Sequence, residues 1–170
     1  MAPGDVVLIS LGEFLKARVR KNQSKIPELV NNIPRKIAYI GSRIDWPEQN
    51  WGVGQNGSIA GIVYHLALWK QLTLPALTGG ELITLSQADL SQYPSRSHWR
   101  ELVEWHDEVS YSWRYALDTI SEEELDKPVE WEGKTYPLYE LVSHIIDHDI
   151  QHLSQIEYLL TIHGGYSPTK

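Results

Sequence analysis

His148, Asp149 and His152 lie together in the stretch LVSHIIDHDIQHLSQIEYLL, residues 141–160. His148 and His152 are four residues apart. On an α-helix that is just over one turn, so both imidazoles leave from the same face. Two adjacent imidazoles make half of a transition-metal site. Asp149 falls near the middle of the apolar face of the same helix. A carboxylate there is costly unless it is paired or hydrogen-bonded, so it calls for an imidazole N–H or a cation. It is a candidate for orienting a ligand imidazole or for acting as a general base.

A third ligand has to come from another helix. His65 shares a face with Trp69 and Leu72, and His106 follows Leu102 and Val103. Spacing does not choose between them. Three imidazoles on one ion leave positions open to water or substrate, the pattern of a catalytic site. Neutral imidazole suits Zn, Ni, Cu or Fe, and nothing in the sequence selects one. Tyr64, Trp69, His106, His144 and Gln155 are candidates for the pocket around the ion. The bland readings are plain: a single half-buried histidine is ordinarily a satisfied polar residue, and Trp69 at helical spacing is ordinarily core. The paired histidines with an acid between them carry the sharper one.

The chain has no cysteine. That removes disulfides, thiolate ligands and cysteine nucleophiles together. A net charge of −7 argues against a broad nucleic-acid footprint, which needs a basic surface. The one basic cluster, Lys16, Arg18, Arg20, Lys21 and Lys25, is expected to form a solvated helix face. No signal peptide or bilayer-spanning run is read, so a cytoplasmic protein without membrane partners is expected. Seven Trp and nine Tyr against one Phe is an unusual aromatic balance. Such rings line pockets, but filling a helical core is the commoner use.

The elements that must position these residues are helices. With 170 residues, one domain spanning the chain is expected. A first helix runs from about Ser10 to Asn31, with a kink or restart near Pro27 and Ser24 as a cap there. Residues 32–57 read as a long irregular connection with a short helix around Arg35–Gly41. Ser58 caps a second helix, apolar almost all round and hence buried, that reaches Pro75 or just beyond. A turn at Gly79-Gly80 follows. A third helix starts near Ser95 or Ser97 and ends near Ile120. Ser121 to Leu125 starts a short turn, and residues 129–134 form a small hairpin or loop. A fourth helix, capped by Thr135 with Pro137 near its first turn, ends at Gly164-Gly165. On its wheel, His152 lies at the edge of the apolar face, His148 beside it and His144 toward the polar side. Four long helices in a small domain imply an all-α four-helix bundle with long connections.

Three segments carry a resemblance. SIAGIVYHLALW (58–69), LDTISEEELDKPV (117–129) and LVSHIIDHDIQHLSQIEYLL (141–160) resemble the second helix, the exit of the third and the fourth-helix signature of the DinB/YfiT-like superfamily. The last segment is the most specific, and the first helix and its connection match least. The resemblance implies an up-down-down-up bundle, commonly a homodimer, with a metal triad on His65, His148 and His152. It implies Ni or Zn, and a small-molecule reaction that is often thiol-dependent transfer. Without a cysteine of its own, the chain would need an external low-molecular-weight thiol.

Other readings compete. HDIQH (148–152) has the histidine spacing of the HExxH helix of metalloproteases. However, Asp149 is shorter than that motif's glutamate, and Gln155 and Tyr158 stand where its extended form has Gly and His. A simpler water-activating hydrolase, a non-catalytic metal or small-ligand module, and a bundle without metal complete the set.

Overall fold

Ser58 begins the second long helix as its spacing predicts: its hydroxyl accepts from the Gly61 N–H at 3.1 Å. In the computed structural model, which describes residues 9–39 and 57–163 apart from positions 24 and 132, that helix is α4, Ile59–Leu77. It is preceded by α1 (Leu11–Gln23), α2 (Lys25–Asn31) and α3 (Arg35–Ala38). α2 begins at Lys25, so Pro27 falls in its first turn, where the missing N–H has no helical partner to lose. The suggested cap Ser24, Gly41 at the end of the short helix, and the final Gly164-Gly165 lie outside the described residues.

After α4 come a 3-10 turn at Leu90–Gln92, α5 (Trp99–Thr119), α6 (Glu122–Leu125), a hairpin and α7 (Leu138–Ile162). α5 starts later than Ser95 or Ser97. Ser95 spends its hydroxyl on the Ser97 N–H, and His98 takes the N-cap position without a side-chain bond. α6 opens with a capping box in which Ser121 and Glu124 satisfy each other's backbone N–H groups. The hairpin pairs β1 (Pro128–Trp131) with β2 (Lys134–Pro137), Trp131 facing Lys134. Gly133 turns it with φ +74°, a left-handed angle that suits glycine.

The start of α7 corrects the sequence reading. Thr135 does not cap it. Thr135 lies in β2 and hydrogen-bonds Glu130 across the ladder, while Pro137 holds the N-cap position with no side-chain bond. The hairpin uses the residues that would otherwise have capped the helix.

α4 packs against α5 and α7, and α1 packs against both α5 and α7, so the four longest helices enclose one interior. The fold is all-α apart from the hairpin. Two apolar clusters fill the interior. One takes Ile26 and Val30 of α2, Ile59 to Leu72 of α4, Trp99 to Val103 of α5 and Leu153 to Leu160 of α7. The other takes Leu15 and Val19 of α1, Leu77 of α4, Trp113 to Leu117 of α5 with Ile120 just past it, and Leu138 to Ile146 of α7. Along α5 and α7 the buried polar residues fall between these groups: His106 and Ser110 on one, Asp149 and His152 on the other. A polar layer therefore crosses the core at mid-height, and Lys70 and Thr73 of α4 join it.

The basic face of α1 is paired rather than only solvated. Arg18 binds Asp147 of α7 and Arg20 binds Asp118 of α5, at 2.5 and 3.1 Å. As exposed pairs they tether α1 and add little stability.

Candidate metal centre

α7 carries His144, His148 and His152 on successive turns of one face, which turns gradually inward. His144 is exposed, His148 half-buried and His152 buried. From α4, His65 reaches across to the inner two. Its Nε2 lies 2.8 Å from His148 Nε2, which lies 3.1 Å from His152 Nε2. One ligand atom from each residue fits within a 4.8 Å span, and this group could hold a metal ion.

The spacing fits an ion. With metal–nitrogen bonds of about 2.0–2.1 Å, two nitrogens on one ion stand about 3.0–3.4 Å apart. The chemistry fits as well. A ring nitrogen of neutral imidazole either donates one hydrogen or accepts through one lone pair. His148 Nε2 faces two others of its kind and cannot satisfy both well, whereas a cation among them satisfies all three. Gln155 adds support: its Oε1 accepts from His152 Nδ1 at 2.6 Å, which leaves the Nε2 lone pair directed at the group. His148 Nδ1 is buried and has no hydrogen-bond partner among the described residues.

Protonation favours ligation. Burial, reinforced by His152 and His65 and then by Lys70 and His144, pushes His148 down to about 2. Burial also lowers His152, although the Gln155 hydrogen bond and the Asp149 charge draw it back upward. Both rings are thus neutral near pH 7, the form that binds a metal.

Asp149 meets a cation. Lys70 Nζ donates to its Oδ1 at 2.7 Å, with side-chain exposures of only 1% and 2%. Sequence reasoning missed Lys70. Its signal was present: one lysine, with no other Lys, Arg, Asp or Glu, inside a helix that is apolar almost all round. The second omission is Trp131, on the hairpin. Trp131 packs edge-on to Trp69 at 6.4 Å and to His144 at 4.7 Å. Trp69 stands edge-on to His65 at 6.1 Å and to His148 at 6.2 Å, so it walls the imidazole group as well as filling space.

The remaining candidates lie elsewhere. Tyr64, one residue before His65, points around the helix to Trp105, and Arg96 sits 5.5 Å over its ring. Burial raises the Tyr64 hydroxyl. His106 is buried outside the imidazole group. Its Nδ1 lies 3.3 Å from Asp107, its Nε2 has no hydrogen-bond partner among the described residues, and burial lowers its pKa.

A family model described as the DinB superfamily matches residues 22–156. No curated protein matches the chain. The matched span contains all three histidines, and family and imidazole group together fit a metal-binding protein. No helix among the described residues is long and apolar enough to cross a membrane.

Proposed function

The chain belongs to the DinB superfamily, and on that footing we propose that His65, His148 and His152 hold a divalent metal ion, Ni or Zn, in an enzyme that activates a thiol or water. The convergence of three Nε2 atoms from two helices carries this reading. An ion held by three imidazoles supplies an open position that lowers the pKa of a bound thiol or water toward neutrality.

The chain's own residues prepare that position. Gln155 fixes the tautomer of His152. Asp149 anchors α7 to α4 through Lys70, next in sequence to His148. We assign Asp149 this anchoring role rather than that of a base, because a sealed, ion-paired carboxylate has no route to substrate. Trp69 covers one side of the group and excludes water there. The resemblance to the DinB/YfiT-like superfamily makes thiol-dependent transfer of a group from a small molecule the leading reaction, and with no cysteine in the chain the thiol must arrive from outside.

The wider reading is one domain in an up-down-down-up bundle. The order in which the helices pass the two apolar clusters supports it: α1 and α2 run from the second cluster to the first, α4 and α5 the other way, and α7 back. A homodimeric, cytoplasmic protein completes the proposal, and light scattering of the purified chain tests the dimer.

The deciding experiment is elemental analysis of untagged protein purified without a nickel column, followed by a thiol-transfer screen. About one ion per chain is expected, with turnover that depends on added thiol. Turnover without thiol would select hydrolysis instead. Metal without turnover would select a binding module. No metal after incubation with Zn and Ni would overturn the reading.

A further inference from the structure

Beside the imidazole group, β1, β2 and the start of α7 enclose a cavity of about 330 Å³, lined by Trp131, Tyr136, Glu140, Leu141 and His144. Three aromatic rings meet there edge to face: Trp131 lies 6.2 Å from Tyr136 and 4.7 Å from His144, each pair steeply inclined. One carboxylate joins them. Glu140 stands in the first turn of α7, and among the described residues it forms no ion pair. Lys134 faces Trp131 across the ladder but forms no ion pair with Glu140. The cavity adjoins the imidazoles: His144 stacks on His148 at 6.2 Å, and Trp69 bridges Trp131 to His148 and His65.

A small organic cation answers this combination best. The negative faces of tryptophan and tyrosine attract an ammonium group, and ligand ammonium groups are recognised by such aromatic walls. A neutral aromatic ligand would satisfy the rings but would strip water from Glu140 and return nothing. An anion would meet Glu140 and the ring faces together, both unfavourable. We propose that this cavity is the second half of the substrate site and takes the ammonium or amine end of a small molecule whose other end reaches the three histidines. The inference rests on the metal-site reading for its purpose, but not for its binding chemistry.

The test is an NMR titration of the full chain, zinc-loaded and metal-free, with choline and with 3,3-dimethylbutan-1-ol, its uncharged carbon isostere. The Trp131 indole N–H reports binding at the cavity. Choline is expected to bind saturably and roughly tenfold tighter than the isostere. Glu140→Gln is expected to weaken choline about fivefold or more and leave the isostere unchanged. Glu140 is exposed, so this variant keeps the fold, whereas Trp131→Leu also disturbs Trp69. Equal binding of the two probes, no saturation by choline, or an unchanged affinity in Glu140→Gln would overturn the proposal. Bound zinc without a choline preference would sink the cation pocket alone. A choline preference in a protein that binds no metal would sink the metal reading alone.

Discussion

His152 and His106 are both buried imidazoles on core-facing turns of long helices, and both lie in the polar layer that crosses the core. Their surroundings differ. His152 has one ring nitrogen held by Gln155 and the other turned toward His148. His106 has one nitrogen near Asp107 and the other without a partner among the described residues. The difference shows that burial and helical spacing place a histidine in a core, but lone pairs meeting from separate helices make a candidate ligand set. The same layer holds a second contrast. At the imidazole group, polar atoms of one kind face each other. At Lys70 and Asp149, opposite charges close on themselves.

The largest effect should come from breaking the first contrast. His152→Ala removes one of three ligands, and metal content is expected to fall from about one ion per chain to near zero. His106→Ala is expected to leave it unchanged while lowering stability by about 1–3 kcal/mol, the range for a modest core truncation. Elemental analysis beside thermal melts separates the two. Metal loss in His106→Ala would mean that the two imidazoles are not different in kind.

Next is the closed pair. Lys70→Met leaves Asp149 buried beside an apolar side chain, and breaking such a pair from one side costs about 3–5 kcal/mol. Lys70→Met with Asp149→Leu removes both charges and should recover most of that loss. Urea unfolding of the metal-free variants measures it. A double variant as unstable as the single one would show that the pair does more than neutralise itself.

The sequence displayed this contrast unevenly. The i, i+4 histidines of α7 were legible because helical geometry turns spacing directly into a shared face. The choice of His65 over His106 was not legible from spacing, because it depends on how α4 and α5 are rotated about their axes; only the family resemblance pointed to His65. The pairing of Asp149 with Lys70 was half legible: the carboxylate announced a need, and a lone lysine in an apolar helix was its answer. Trp131 was not legible as part of the site. Only the folded hairpin carries it to Trp69 and His144, from a segment whose strand signal is weak. Thr135 misled for a related reason, since a residue type that favours helix caps also suits a strand.

A smaller effect separates holding a ligand from being one. Gln155→Leu keeps all three imidazoles but removes the acceptor at His152 Nδ1. Loss of such a supporting partner typically lowers metal affinity 10–100-fold. Competition with a zinc chelator is expected to show a drop of that size with stoichiometry preserved. An unchanged affinity would mean that packing alone orients His152.

The last effect, and the one that unites both halves of the layer, is the response of the metal-free protein to acid. Folding holds His148, His152 and His106 below their ordinary value near 6.5, with burial the first cause in each case. Below that pH the unfolded chain binds protons that the folded chain refuses. Stability should therefore be flat above about pH 7 and fall as pH drops through 6.5 toward 5. The lowered carboxylates Asp107, Glu122 and Glu124 act with the same sign, but only near and below about pH 4.5, so the windows separate. Melting temperatures of wild type and His106→Gln between pH 5 and 8 test this. The variant should lose part of the slope and the wild type should keep all of it. A melting temperature that rises on acidification would show that a buried imidazole is charged in the folded protein, and the neutral ligand set would be wrong.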